Sequence, residues 1–335
     1  MENHPERILI IKYRALGDSV IGLGTVQYLK SLYPKSEIIY GVPAWVAPLY
    51  RNVNGAFDKI LPMSLENLSG WMNCWRQTAK LQPGLIYEMF QSGRTRNFFS
   101  IYSRLKNIPY FFHNHHLKGP GKIIDQGIIK PVIQRDLDGV YSLLSKRQQQ
   151  RPEYLNFSPK LEMKNLAPEK KIILRFPFRF IFGVVATRIT KMWPLENYVA
   201  LAQKMLRAFP GCKISIPLST SSIDLQIKDR LLVQNLPPEV EIINLPLQDL
   251  PEYFAASSGY IGNDTGLKHL AVAMGLPTWT FFGPEPPLEW HPYDPKRHVF
   301  FFLDPLECRT QAAHYCGLSS CESMICLKSF SVDEV

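Results

Sequence analysis

One stretch of this 335-residue chain, residues 261–271, limits most narrowly how the chain can fold. It is typical of a buried strand that ends in a polar, glycine-containing turn and leads into a short helix, since apolar residues recur with helical spacing from Leu267 to Met274. Asp264 and Thr265 are residue types that cap helices well. The N–H groups at the start of such a helix point beyond the end of the strand, where an anionic group is the natural ligand.

A second motif of the same kind lies near the N-terminus. The apolar run Arg7–Lys12 leads into a turn in which Gly17 allows a tight backbone conformation and Asp18 stands at the expected start of a helix. Asp18 has two plausible roles. It is either a structural cap of that helix or a functional group at the carboxyl end of a parallel strand, where open α/β sheets place their ligands. In the second role Asp18 could act as a general base.

Strand and helix patterns alternate along most of the chain, which predicts parallel sheets flanked by helices. The pattern weakens between residues 110 and 170, and a polar, proline-containing linker is predicted near 155–170. Because 335 residues exceed the usual size of a single core, we predict two α/β domains, 1–160 and 161–335. The carboxyl ends of the two sheets are expected to face a cleft between the domains.

The segment between the first strand and the first helix of the second domain carries two cations, Arg188 and Lys191. They come just before Pro194, and proline is favoured at the start of a helix. Cations beside a helix N-terminus are well placed to bind a diphosphate. The alternative is that both are solvated cations of a loop.

Charge is unevenly distributed along the chain, whose formal net charge is +9. Residues 1–165 hold 22 Lys/Arg and 12 Asp/Glu, whereas residues 166–335 hold 16 and 17. Arg94 and Arg96 belong to the most basic segment of the first half. This bias predicts an acidic partner for the first domain, such as nucleic acid, an anionic membrane surface or a phosphorylated glycolipid; the alternative is a solvated basic face.

Composition and the N-terminus predict a soluble, cytoplasmic protein. Hydrophobic residues make up 46% of the chain and charged residues 20%. No uninterrupted apolar stretch approaches the roughly 18 residues of a membrane span. The first residues also lack the layout of a signal peptide, because Glu6 and Arg7 precede only a short apolar run.

Four cysteines near the C-terminus form a candidate metal site with His314. Their spacing lacks the CxxC pairs of common structural sites, and reduced thiols are the default in a cytoplasmic protein. The four are Cys308, Cys316, Cys321 and Cys326.

Three segments, in their order and spacing, resemble motifs of the ADP-heptose:lipopolysaccharide heptosyltransferases, glycosyltransferase family 9. They are residues 8–18, 191–194 and 263–284. The likeness covers 7–62, 181–210 and 240–335 and is weak from about 90 to 175. The resemblance implies a GT-B fold, in which two Rossmann-like domains with parallel sheets face a central cleft, the first binding the acceptor and the second the nucleotide-sugar donor.

The resemblance also implies an activity, the inverting transfer of a heptose from ADP-heptose to the inner core of lipopolysaccharide. The expected enzyme is a monomer at the cytoplasmic face of the inner membrane, in peripheral contact with it. It binds an acidic glycolipid as acceptor, requires no cofactor and binds no nucleic acid. Asp18 would act as the general base, and Lys191 would stabilise the leaving diphosphate together with the N–H groups of Thr265 and Gly266.

Further site residues follow from the same resemblance. His269 has a second interpretation, as a histidine on the helix face held by a neighbouring side chain. The remaining candidate contacts with the donor are Thr187, Arg188, Trp193, Asp264 and His269, and the candidate contacts with the acceptor are Arg14, Gly17, Arg94 and Arg96.

The chain departs from the family pattern at three places. The turn at 216–222 lacks the usual glycines, residues 285–287 read Glu-Pro-Pro where Thr-Asp-Pro is more usual, and the terminal helix is predicted to be missing or truncated after 331–334. Another nucleotide sugar, or a protein or other glycan acceptor, is therefore an alternative.

Two alternatives belong to other classes of protein. A nucleic-acid-binding α/β protein would fit the basic first half, but the chain has no recognisable readout motif. A catalytically silent binding module for an acidic ligand would have no need of Asp18 or Lys191.

Overall fold

The structure is a computed structural model that describes residues 5–113, 117–119, 122–124, 130–145, 150–164, 177–309, 316, 318 and 320–335. The chain separates into two compact units, the first extending to Lys164 and the second from Asn165 to Val335. Each unit contains a parallel sheet with helices. The predicted class of fold, two Rossmann-like α/β units, is confirmed.

The first unit is built around one parallel sheet. In chain order its elements are β1 (Arg7–Ile11), α1 (Leu16–Ile21), α2 (Leu23–Leu32), β2 (Glu37–Pro43), a 3-10 helix (Ala47–Tyr50), β3 (Val53–Asn54), β4 (Lys59–Met63), α3 (Leu68–Leu81), β5 (Leu85–Met89), α4 (Gly93–Lys106), β6 (Tyr110–His113), β7 (Leu117–Gly119), β8 (Lys122–Ile124), α5 (Val132–Val140), a π-helix (Tyr141–Ser145), a 3-10 helix (Tyr154–Phe157) and β9 (Glu162–Met163). The strand order of the main sheet is β4-β2-β1-β5-β6, and β3 with β9 and β7 with β8 form short antiparallel pairs.

The strand order of this sheet creates a crevice beside its central strand. The chain adds β2 and then β4 on one side of β1, and afterwards adds β5 and then β6 on the other side of β1. At such a switch point the loops after two neighbouring strands leave in opposite directions, and open α/β sheets bind their ligands there. The turn with Asp18 follows β1, and the basic segment with Arg94 follows β5. Both predicted elements of the acceptor site therefore begin at this crevice.

The helix predicted after the first turn is divided into α1 and α2, which meet at Gly22. Ala15 is the N-cap of α1, and Asp18 lies in the first turn of that helix. The interpretation of Asp18 as the cap is therefore wrong, because a cap precedes the helix. Gly17 also lies inside α1, and its backbone is outside the left-handed region. The tight turn predicted at Gly17 is thus an ordinary helical turn.

A buried network ties α5 to the carboxyl ends of the first sheet. Lys12 follows β1, and its Nζ lies 2.8 Å from Oδ2 of Asp136 on α5. The other oxygen of Asp136 is 3.1 Å from Nε2 of His113, whose Nδ1 is 2.6 Å from the hydroxyl of Tyr87. Because the buried charges are paired and hydrogen-bonded, they fix the edge of the sheet from which the site loops leave.

The second unit contains a larger parallel sheet. Its elements are β10 (Arg179–Gly183), a 3-10 helix (Ile189–Lys191), α6 (Leu195–Ala208), β11 (Lys213–Pro217), α7 (Ser222–Leu232), β12 (Val240–Ile243), α8 (Leu250–Ala255), β13 (Gly259–Asn263), α9 (Gly266–Ala273), β14 (Thr278–Phe282), α10 (Pro287–Trp290), β15 (His298–Phe302) and α11 (Ile325–Lys328). The strand order is β12-β11-β10-β13-β14-β15. Here the switch point lies between β10 and β13, the strands that precede the two predicted donor-binding segments.

The central strands of both sheets are buried on their two faces. Residues 8–11 of β1 have no exposed surface, although neighbouring side chains of a strand point to opposite faces. In the second unit, Phe182, Ile214 and Phe281 from three strands form one core with the apolar face of α6. Helices therefore cover each sheet as the uninterrupted apolar runs predict.

Candidate functional site

Charged side chains from three loops of the second unit meet around Asp264, the residue after β13. Lys191, which ends the 3-10 helix after β10, donates from Nζ to Oδ2 of Asp264 at 3.2 Å. Lys268 of α9 donates to Oδ1 at 2.6 Å. Burial disfavours the ionised form, but the two lysines outweigh it and hold the pKa of Asp264 well below its usual range. Asp264 is therefore a carboxylate that fixes two ammonium groups.

Glu285, which follows β14, contacts the same cations from another side. Arg188 donates a hydrogen bond to Oε1 of Glu285, and Nζ of Lys191 lies 3.5 Å from Oε2. Burial raises the pKa of Glu285 even though Lys191 and Arg188 favour its charge. For Lys191, burial is outweighed by Asp264 and Glu285, so its pKa is raised and it stays protonated. No role was predicted for Glu285, although its departure from the family pattern was a signal.

Lys268 is a second residue of this cluster for which the sequence predicted no role. Its side chain has no exposed surface, its Nζ also donates to the carbonyl of Trp290 at 2.8 Å, and the ring centroid of Phe282 is 4.9 Å away. Burial lowers the pKa of Lys268 to about 8, while Asp264 opposes that shift. Its position four residues after Asp264 was the available signal, because that spacing places opposite charges together.

The start of α9 is free of side-chain caps. Thr265 is the N-cap, but its side chain makes no capping hydrogen bond, and its hydroxyl lies 3.3 Å from that of Tyr260. Asp264 is engaged by lysines. Thr265 therefore holds the cap position, as its residue type predicts, whereas Asp264 is paired with lysines instead. Backbone N–H groups at the first turn, from Gly266 onward, remain available for an anionic ligand beside Lys191.

Two predicted donor contacts have other partners in the structure. Nδ1 of the buried His269 lies 2.5 Å from the hydroxyl of Tyr293, which is the second interpretation given for this histidine. Burial and Lys268 hold the pKa of His269 well below its usual value, so the ring is neutral. Trp193 is fully buried and stacks on Phe281 with ring centroids 4.1 Å apart. The expectation of a donor contact by Trp193 is corrected, since its indole has no surface to offer.

Asn263 fixes the loop that carries the cations. Its Nδ2 donates to the carbonyl of Val184 at 2.8 Å, and its Oδ1 accepts from the backbone N–H of Trp193 at 2.9 Å. One side chain thus joins the end of β13 to both ends of the loop containing Arg188 and Lys191. The motif contained Asn263, but the sequence alone gave it no role. Thr187 is exposed on the same loop, and its donor contact stays a prediction.

In the first unit, predicted acceptor residues line an open pocket with a volume of about 530 Å³. Arg14 and Arg94 both line this pocket. The guanidinium carbon Cζ of Arg14 lies 4.1 Å from the ring centroid of Phe90. Arg96 is exposed on α4 and is absent from the pocket lining. The pocket residues are Tyr13, Arg14, Leu65, Trp71, Ser92, Gly93, Arg94 and Asn97.

The pocket combines cations and aromatic rings at the crevice beside β1. The hydroxyl of Tyr13 donates to Glu66, which also lies 3.6 Å from NH1 of Arg94. A capping box between Ser92 and Thr95 starts α4 and sets the first turn that carries Arg94. Such a pocket suits a ligand with anionic groups and sugar faces.

Asp18 is partly exposed in the first turn of α1, just after the segment that carries Arg14. Among the residues that the structure describes, none donates a hydrogen bond or forms an ion pair with its carboxylate. Its oxygens are thus available to an incoming hydroxyl. The role of Asp18 as a general base stays a prediction.

The cysteines near the C-terminus do not form a metal site in the described part of the chain. No group of three or more His, Cys, Asp or Glu residues is placed there to hold a metal ion. Cys308 is exposed, and Cys316, Cys321 and Cys326 are half-buried free thiols. His314 lies outside the described residues, so the candidate metal site stays a prediction.

Across the described ranges, no helix combines the length and apolar character that crossing a membrane requires.

Known proteins resemble this chain in sequence. Residues 125–316 match the model of glycosyltransferase family 9 (heptosyltransferase). Lipopolysaccharide heptosyltransferase 1 of Campylobacter coli is 23% identical over 298 residues, which cover 84% of each chain. Its namesake from Pseudomonas aeruginosa is 31% identical over 108 residues, or 32% of this chain and 29% of the relative.

Solved structures show the same fold. The glycosyltransferase family 9 protein of Veillonella parvula superposes with a TM-score of 0.73 at 17% identity, covering 98% of this chain and 94% of that one. The ADP-heptose lipopolysaccharide heptosyltransferase II of E. coli gives 0.68 at 17% identity, covering 98% and 96%. Fold, site chemistry and family match agree on an enzyme of the glycosyltransferase class. The chain belongs to glycosyltransferase family 9, the heptosyltransferases.

Proposed function

We propose that this enzyme transfers a heptose from ADP-heptose to the inner core of lipopolysaccharide, with inversion at the anomeric carbon. The observation that carries the proposal is Lys191, held by Asp264 and Glu285 beside the uncapped start of α9. The names of the relatives and of the E. coli structure support the donor and the acceptor. The proposed enzyme acts as a monomer and needs no metal cofactor.

The second unit is proposed to bind the donor. The diphosphate would accept hydrogen bonds from Lys191, from Arg188 and from the backbone N–H groups of Thr265, the N-cap, and Gly266, the first residue of α9. When the bond between the anomeric carbon and the diphosphate breaks, negative charge grows on the leaving phosphate. An ammonium group and helix N–H groups fixed in advance stabilise that charge most effectively, because they need no reorganisation. Asp264 holds Lys191 in place, and Lys268 fixes the other oxygen of Asp264.

The first unit is proposed to bind the acceptor and supply the base. Inversion in a single displacement requires one group to take the proton of the acceptor hydroxyl as its oxygen attacks the anomeric carbon. Asp18 fits this role because its carboxylate is partly exposed and no described side chain occupies it. Arg14 and Arg94 line the neighbouring pocket and would pair with phosphates or acidic sugars of the glycolipid.

The exposed faces of α3 and α4, two helices whose first turns line this pocket, suit contact with an anionic membrane. The helices pack together through aromatic rings, and their outer faces expose apolar pairs one turn apart, Leu68 with Met72 and Ile101 with Leu105. Arg104 is exposed beside them. Apolar side chains together with cations are the composition of a surface that binds the membrane interface. We therefore propose peripheral contact with the inner membrane at its cytoplasmic face, where the acceptor is expected.

Sedimentation with lipid vesicles tests this contact. The enzyme is expected to bind vesicles that contain phosphatidylglycerol and to bind phosphatidylcholine vesicles weakly. Replacing Leu68 and Leu105 together by serine should weaken binding about tenfold, because two apolar side chains no longer enter the interface. Exchange of the exposed Val233 in the second unit for serine is the control. Equal binding to both kinds of vesicle would contradict the proposed contact.

The function itself is tested by donor binding and transfer. ADP-heptose is expected to bind the enzyme in calorimetric titration, and UDP- and GDP-sugars to bind weakly. Transfer to heptose-free lipopolysaccharide should yield a product with inverted anomeric configuration, and light scattering of the same sample should give a monomer. Preference for another nucleotide sugar would replace the donor in this proposal, and the absence of binding by any of them would overturn it.

A further inference from the structure

Glu285 occupies the cations that are proposed to bind the donor diphosphate. Oε1 accepts from Arg188, and Oε2 lies 3.5 Å from Nζ of Lys191. Its side chain is only 15% exposed, so it forms a wall of the site rather than part of the solvated surface. A diphosphate bound to Arg188 and Lys191 would therefore lie next to a carboxylate that already competes for both cations.

Among the residues that the structure describes, the ion pairs around Asp264 and Glu285 are close to neutral in net charge. Three cations, Arg188, Lys191 and Lys268, stand against two carboxylates, Asp264 and Glu285. The pKa of the nearby His269 is lowered, so that ring adds no charge. A site with so small an excess of positive charge is sensitive to the exact charge of its ligand, because buried charges interact strongly.

Donor and product differ in charge. The diphosphate of a sugar nucleotide is esterified at both ends and carries two negative charges. The terminal phosphate of ADP regains a third ionisable oxygen, and such a group titrates with a pKa of about 6, so ADP is the more highly charged ligand at neutral pH. Glu285 repels this additional charge and weakly disfavours the donor.

Resting on the proposed function, we propose that Glu285 is a specificity-determining residue, whose carboxylate makes the site retain the doubly charged sugar nucleotide and release the more highly charged ADP. Two features of Glu285 support this role. The ion pairs of this carboxylate do not fully offset its burial, because Oε2 lies 3.5 Å from Nζ of Lys191 without a hydrogen bond and burial raises the pKa of the side chain. Because little solvent screens this buried negative charge, it interacts strongly with the charge of a bound ligand. Water and salt would screen a well-solvated carboxylate.

The first test compares the dissociation constants of ADP-heptose and ADP for wild type and Glu285→Gln. Glutamine keeps the shape and removes the charge, so ADP should bind about tenfold more tightly and ADP-heptose about threefold. Glu285→Asp retains the charge and should largely keep the wild-type ratio of the two constants. The matched control is Glu239→Gln, an exposed glutamate just before the edge strand β12, whereas the loops of the site follow β10, β13 and β14.

A second measurement uses the wild type alone and does not depend on how a variant folds. ADP whose terminal phosphate carries a methyl ester lacks the third charge and has no sugar, and it should bind more tightly than ADP. Weaker binding of the methyl ester than of ADP would overturn the inference. An equal gain in affinity for ADP and ADP-heptose in Glu285→Gln would also overturn it. Either result would leave the proposed function standing. Failure of all three ligands to bind the wild type would overturn the inference and the proposed function together.

Discussion

Replacing Asp18 by asparagine is expected to lower the turnover of heptose transfer about 10³-fold. Asparagine has nearly the same shape but cannot accept the proton of the acceptor hydroxyl. The affinity for ADP-heptose should stay within about twofold, because the donor is assigned to residues of the second unit. Steady-state transfer to heptose-free lipopolysaccharide and calorimetric titration of the donor measure the two quantities on the same preparations.

The position of Asp18 in α1 makes this experiment interpretable. Because Asp18 is not the N-cap and no described residue pairs with its carboxylate, the exchange removes no hydrogen bond among the described residues. Loss of a negative charge from the first turn of α1 should lower the stability by at most about 1 kcal/mol. Glu162→Gln removes an exposed carboxylate of β9 in the same unit and should leave turnover at the wild-type level. A fall in turnover of less than tenfold for Asp18→Asn would exclude Asp18 as the general base.

The fold could be predicted because its signals are local. Strands such as β5, Leu85–Met89, and β14, Thr278–Phe282, are short, mainly apolar runs next to turn residues, which is the pattern that predicts a strand. Helix boundaries were less accurate, as α1 and α2 show, because the break at Gly22 interrupts no hydrophobic period. The class of fold followed from the alternation of the two patterns, which does not depend on single boundaries.

The partners of the site residues could not be predicted in the same way. The sequence places Lys191, Asp264 and Glu285 in three separate loops, and their contacts arise only when β10, β13 and β14 lie in order in the sheet. For Trp193 the error is of another kind, because a role in the site was predicted for a side chain that is buried. It lies in a motif of the family and was therefore assigned to the donor, but the structure places its ring in the core. Position in a motif indicates proximity to a site, whereas burial and partners decide what a side chain can do.

Lys191 is expected to be the residue of the second unit whose loss is most costly for the reaction. In Lys191→Met, turnover should fall about 10²- to 10³-fold, as when a fixed hydrogen-bond donor is removed from a developing anion. The stem of methionine fills a similar volume, so the change is mainly the loss of the ammonium group. Asp264 keeps Lys268 as a partner, and Glu285 keeps Arg188, so the fold should persist.

The variant Lys191→Met also distinguishes stabilisation of the transition state from binding of the donor. The intact diphosphate has its negative charge spread over two groups, whereas bond breaking concentrates additional charge on the leaving phosphate. Lys191 therefore interacts more strongly with the transition state than with the bound donor, and turnover should fall by a larger factor than the affinity for ADP-heptose. Lys213→Met, at the exposed amino end of β11, is the matched control and should change neither quantity. Equal losses in turnover and affinity would mean that Lys191 only binds the donor, and the stabilisation of the leaving diphosphate would then have to come from Arg188 and the N–H groups of α9.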